Sequence, residues 1–144
     1  MSQENVELVR AAVGRSKVDM LEMFGGDVPP SYLDLSVIAE DVEIVYVPAL
    51  DEAPYRGIAG LVESWRDWLS AWSRYDAEIE DFIDAGDRVV MFVHLRGETR
   101  HDHVVIEQPA AVVYTLEAGK VVRLAFHLDR RIALEEAGRA DLLS

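Results

Sequence analysis

The chain has 144 residues and no cysteine, and 27 acidic side chains against 14 basic ones give it a formal charge of −13. That acidity reads as solubility, and no basic cluster exceeds Arg130-Arg131, which speaks against nucleic-acid or anionic-membrane partners; the missing cysteines exclude disulfides and thiolate ligands. No apolar run reaches membrane-spanning length, the start Met1-Ser2-Gln3-Glu4-Asn5 lacks a basic-then-apolar leader, and half the residues are hydrophobic, so one soluble, cytoplasmic domain over 1–144 is expected.

Residues 3–24 show apolar positions at helical spacing: Val6, Val9, Val13, then Met20, Leu21 and Phe24. Ser2 is a candidate N-cap. Gly25-Gly26 and Pro29-Pro30 end that helix, and Ser31 opens a shorter one with Tyr32, Leu33, Leu35 and Ile38. Residues 42–48 read as a strand and 51–57 as a loop. A helix over 58–73 places Leu61, Val62, Trp65, Trp68, Leu69 and Trp72 on one stripe. Four strands follow, at about 75–84, 88–97, 103–116 and 120–129, with turn signals at Ala85-Gly86-Asp87 and Glu117-Ala118-Gly119. A short helix over 130–137 ends at Gly138. Helices first and antiparallel strands after predict an α+β fold, a curved sheet partly covered on its concave side by about three helices, with a pocket left in the uncovered part.

Residues 88–97 carry the sharpest chemical signal. Side chains alternate faces along a strand, so Val89, Met91, Val93 and Leu95 share one face while Val90, Phe92, His94 and Arg96 share the other. His94 and Arg96 then stand roughly 6–7 Å apart. If they line a cavity, a neutral imidazole kept so by the guanidinium acts as base or acid and Arg96 holds an anion. The pair otherwise binds a ligand without catalysis, or is a structural or solvated pair. His101-Asp102-His103 sits between strands, reads as a surface turn, and lacks a third ligand at useful spacing, so no metal is expected. No phosphate-binding glycine loop, nucleophile elbow or Cys-His pair is present.

The opening Ser2-Gln3-Glu4-Asn5-Val6-Glu7, Tyr55-Arg56-Gly57, Phe82 through Val90, and Gly119 through Arg123 with Leu128-Asp129-Arg130 and Ala133 through Gly138 resemble the SnoaL-like proteins of the nuclear transport factor 2-like, cone-fold superfamily. The resemblance spans essentially the whole chain. It implies a cone whose pocket side carries Ile44 and Tyr46 on the first strand, Phe92, His94 and Arg96 on the third, Pro109, Ala111 and Val113 on the fourth, and Leu124, Phe126 and Leu128 on the last. Tyr46 is then a donor to a substrate carbonyl, or a wall residue. Trp65 and Trp68 form an aromatic wall or ordinary core, and Tyr32 lines the pocket. His127 and Asp129 point outward, toward a homodimer interface through the outer sheet face or toward solvent. The resemblance also shows what is missing. Tyr46, Ala111 and Phe126 stand where isomerase-, cyclase- and epoxide hydrolase-like members carry carboxylates.

The expected function is binding of a small hydrophobic molecule, with cofactor-independent proton transfer through His94, Arg96 and Tyr46 as the catalytic version. The alternative is a non-catalytic binding or dimeric assembly domain with a filled or purely apolar cone.

Overall fold

Four long strands follow one another through the second half of the chain, because each apolar, β-branched run ends at a tight turn. The computed structural model describes residues 2–13, 16–21, 35–46 and 55–143. They form helix α1 (Ser2–Val13), strands β1 (Lys17–Asp19), β2 (Ile38–Tyr46) and β3 (Tyr55–Arg56), helix α2 (Gly57–Leu69), strands β4 (Trp72–Ala85), β5 (Arg88–Thr99), β6 (Val105–Glu117) and β7 (Lys120–His127), and helix α3 (Arg130–Glu136). The sheet order is β1-β4-β5-β6-β7-β2-β3. The β2–β7 pair is parallel and every other pair antiparallel. This curved, unclosed sheet with helices on it is the α+β cone expected from the element order.

Three boundaries differ from expectation. The first helix stops at Val13, and residues 17–19 instead extend the sheet edge against β4. Val18 is buried there, which a β-branched residue achieves readily on a pleated surface. Residues 35–37 make a single 3-10 turn, and Ile38 opens β2 rather than closing a helix. The helix predicted over 58–73 ends at Leu69, so Trp72 begins β4. The Gly25-Gly26 and Pro29-Pro30 break and Tyr32 lie outside the described residues.

The sheet is covered on both sides. On the concave side α1 and α2 bury Val6, Val9, Leu61 and Leu69 against Val42, Val89, Leu116 and Val121. On the convex side α3 presents Ala133, Leu134 and Ala137 to Val90, Ala111, Val113 and Ala125. The alanines on both partners let this short helix approach closely enough for dense packing. Its ends are well made. Asp129 Oδ1 accepts from the Arg131 backbone N–H at 2.9 Å. At the other end Gly138 takes φ 79°, and the Gly138 and Arg139 N–H groups donate back to the Glu135 and Leu134 carbonyls.

Irregularities in the pairing set which side chains face inward. The β4–β5 register shifts between Trp72 and Arg74 and again between Ile79 and Asp81, and the β6–β7 register shifts between Thr115 and Leu116. Each inserts one residue and exchanges inside for outside on one strand relative to its neighbour. Among the described residues no helix is long and apolar enough to cross a membrane.

Candidate functional site: an apolar cavity in the cone

The concave face encloses a cavity of about 460 Å³. Its sheet wall is Met91, Val93 and Leu95 from β5, Ala110, Val112 and Tyr114 from β6, and Leu124, Phe126 and Leu128 at and after β7. Ile44 and Tyr46 from β2, Trp65 and Trp68 from α2, and Tyr75 and Ala77 from β4 complete much of the rest.

One end is an aromatic cluster. Trp68 lies 5.8 Å from Tyr46, 6.1 Å from Trp72 and 6.3 Å from Tyr75, centroid to centroid. Trp65 meets Phe126 edge-on at 5.2 Å. These tilted and edge-to-face contacts are the favourable ones for rings with a negative face and positive edge. The cluster depends on Gly97. A Cβ there would fall 2.5 Å from the Trp72 ring and 2.9 Å from Tyr75, so the missing side chain lets both rings lie on the β5 backbone.

Polar groups in the cavity are few and mostly phenolic. Burial pushes the Tyr46 hydroxyl up from its ordinary value. Burial does the same to Tyr75, opposed by the Trp68 indole N–H and reinforced by nearby Tyr46. Tyr114 is driven up further by burial alone. All three are hydrogen-bond donors at neutral pH rather than bases. Tyr114 Oη donates to Met91 Sδ at 3.8 Å, and Tyr55 Oη donates to Asp67 Oδ2 at 2.9 Å. Among the described lining residues Asp67 is the one carboxylate, and none is a lysine or arginine.

The placement of the strand 88–97 face is corrected. His94 and Arg96 stand on the convex side, not in the cavity. His94 Nε2 pairs with Glu107 Oε1 at 3.1 Å, Arg96 Nε lies 3.9 Å from the same oxygen, and the two side chains keep 39% and 51% of their exposure. Phe92 is on that side too, covered by the Arg130 guanidinium 4.5 Å from its ring centroid. Arg130 also donates to the Val93 and Ala110 carbonyls and pairs with Glu80. Val113 and Ala111 belong to the cluster under α3, so Val113 does not line the cavity and Ala111 borders it with its side chain packed the other way. The physical reason is common to all of them. Register pairs His94 with Pro109, Phe92 with Ala111 and Val90 with Val113, so one choice of face decides both strands. Both faces of β5 are apolar at their start because helices cover both, so alternation marks two faces and does not say which is inside. Ile44, Tyr46, Trp65, Trp68, Leu124 and Phe126 do line the cavity.

Sequence reasoning missed Met91, Val93, Ala110, Val112, Tyr75 and Tyr114. A pairing argument could have found the β6 residues, since Phe126 stands opposite Val112 and Leu124 opposite Tyr114. The corrected β6 face also lacks a carboxylate, so the missing acids remain missing.

The convex side carries the ionic groups. Glu136 on α3 accepts from Arg123 at 2.8 Å and pairs with His127 Nε2 at 2.7 Å, while Arg123 also reaches Glu43 at 3.2 Å. His127 is buried under α3 rather than exposed or at an interface, and its Nδ1 has no partner among the described residues. Burial raises the Glu136 carboxyl, but the bonds from Arg123 and His127 outweigh it and hold the group below its ordinary range. Asp129 is the α3 cap. His103 pairs with Glu98 at a surface turn, and the described residues hold no cluster of three metal-ligating side chains.

Solved structures share the fold. TerC, co-crystallized with polyporic acid, is 22% identical over 92% of this chain and 96% of its own, with a TM-score of 0.65. A nuclear transport factor 2-like protein of Burkholderia thailandensis E264 is 20% identical over 92% and 95%, TM-score 0.66. A protein of ketosteroid isomerase-like fold from Catenulispora acidiphila DSM 44928, in complex with trimethylamine, is 17% identical over 94% and 95%, TM-score 0.62. No curated protein matches the chain. The SnoaL-like domain model matches residues 32–124, well over half of the sequence, and the chain belongs to the SnoaL-like domain family.

Proposed function

We propose that this protein binds a small, flat, largely apolar molecule inside the cone, and that it does so without acid–base catalysis by His94. The observation that carries this is the cavity itself, with aliphatic walls, aromatic rings at one end, four phenols with Ser64, Asp67 and His127 as its polar lining residues, and no lysine or arginine among the described lining residues. Such a lining recognises ligands by shape and burial, with a few hydrogen bonds to fix orientation. Tyr46, Tyr75 and the Trp68 indole supply donors at the aromatic end. Asp67, the one lining carboxylate, is engaged by Tyr55. That fold neighbours were crystallized with polyporic acid and with trimethylamine supports a small-molecule role for this cavity.

The homodimer expected through the outer sheet face would use the convex surface beyond α3, around His94, Arg96 and Glu107, and light scattering tests it. The binding reading is tested by titrating the protein with N-phenyl-1-naphthylamine, a neutral fluorescent apolar probe, with Ala110→Phe as the filled-cavity control. Saturable one-to-one binding in the parent, lost in Ala110→Phe with the fold intact by circular dichroism, is expected. Binding that ignores the filled cavity, or no saturable binding, overturns the proposal.

A further inference from the structure

The cavity is polar at two separated places, and the deeper of them is underused. Tyr114 stands opposite Val89 on β5, whereas Tyr75 stands opposite Gly97. Val89 to Gly97 is eight positions, roughly 26 Å of extended strand, so the two phenols approach the cavity from opposite ends. Around Tyr114 the surroundings are apolar, and Val89, Leu116 and Val121 are all closed off from solvent. Among the described residues its hydroxyl has one partner, the Met91 thioether at 3.8 Å. Sulfur of this kind is a weak acceptor, and a buried hydroxyl with a weak partner forfeits much of the hydrogen bonding it had in water.

We propose that Tyr114 is the deep anchor of the cavity, donating its hydroxyl proton in a hydrogen bond to the oxygen of a neutral carbonyl at the buried end of an otherwise apolar ligand. The inference rests on the binding role proposed above and narrows it to aromatic ketones, aldehydes, esters and quinones. The carbonyl oxygen takes the place of the Met91 sulfur as acceptor, and no bond is made or broken. A carboxylate at the same depth is excluded by its charge. No lysine or arginine stands among the described lining residues, so an anion there would be buried without a permanent cation from them. A plain hydrocarbon fits the walls but leaves the hydroxyl on sulfur.

The test compares two probes of one shape, 2-acetylnaphthalene and 2-isopropenylnaphthalene, by equilibrium dialysis. The parent is expected to bind the ketone about tenfold tighter, the order of one hydrogen bond between neutral partners. Tyr114→Phe removes the oxygen alone. It should abolish the preference and leave the alkene affinity within about twofold. Should that variant not fold, Met91→Leu decides, because removing the competing acceptor raises ketone affinity about two- to threefold with the alkene unchanged. A ketone preference that survives Tyr114→Phe, an unchanged ketone affinity in Met91→Leu, or equal affinity of the parent for both probes overturns the anchor while leaving the cavity a binding site. No saturable uptake of either probe overturns both.

Discussion

The two faces of the sheet solve opposite problems with the same strands. The convex face holds the buried and half-buried ionic groups, Glu136 with Arg123 and His127, and Arg130 with Glu80, and most are matched to partners. The concave face holds almost no charge, and at its Tyr114 end the hydroxyl has only a thioether as partner among the described residues. Polar groups satisfied within the fold serve the fold. Those left poorly satisfied in a cavity are available to something that enters it. The comparison also explains why His94 drew attention for the wrong reason. It is polar and near apolar residues, but its partner is already in place at Glu107.

The largest expected effect tests the convex side. Glu136→Ala strands a guanidinium and an imidazole together and should cost about 2–3 kcal/mol by denaturant unfolding. Its contribution is pH-dependent. Because the folded carboxyl titrates below the ordinary value of 4.5, the stability it confers is complete above that value. It drains as pH falls through the lowered one. The stability gap between the parent and Glu136→Gln should therefore shrink between pH 7 and pH 3, and a constant gap would show the carboxylate to be unimportant. Next is Gly97→Ala, which pushes the Trp72 and Tyr75 rings off the β5 backbone. About 1–3 kcal/mol and a shift in tryptophan emission are expected, and an unperturbed spectrum would contradict the packing. Tyr46→Phe should then weaken a probe that presents a second carbonyl to the aromatic end by only about threefold, since Trp68 and Tyr75 remain as donors. The smallest effect is His94→Ala. Its exposed pair with Glu107 should change stability by less than about 0.5 kcal/mol and probe affinity not at all. A large loss of binding there would erase the distinction between the faces.

Most of the architecture was readable in the chain. The four long strands lie within a few residues of their expected limits because Gly86 and Gly119 punctuate them and β-branched residues fill them. The helix limits were less readable. Tertiary pairing drew residues 17–19 and Trp72 into strands against a continuing helical spacing. The cavity was half readable. Tyr46, Trp65 and Phe126 face inward as expected, while Phe92, His94 and Val113 do not. Within the sheet those expectations conflict. Ala111 pairs with His127 and Val113 with Ala125, so Leu124 and Phe126 cannot share a face with Ala111 and Val113. Counting back from the Ala118-Gly119 turn would not have exposed the conflict either, because the shift between Thr115 and Leu116 changes the phase midway.

The extra residue is Val122, which stands unpaired between Val121, opposite Leu116, and Arg123, opposite Thr115. It acts as a frame marker for the last strand, because it lets Val121 and Leu124, three positions apart, both point into the core. Were β7 to pair from the turn without this bulge and at unchanged length, the strand beyond it would turn over as a unit. Phe126 and Leu124 would move outward, and His127, Ala125 and Arg123 would take their places inside. An imidazole and a guanidinium would then stand within an apolar chamber without one amino acid having been exchanged. One unpaired residue, rather than the composition of the strand, is thus what keeps this scaffold a greasy container instead of a charged one.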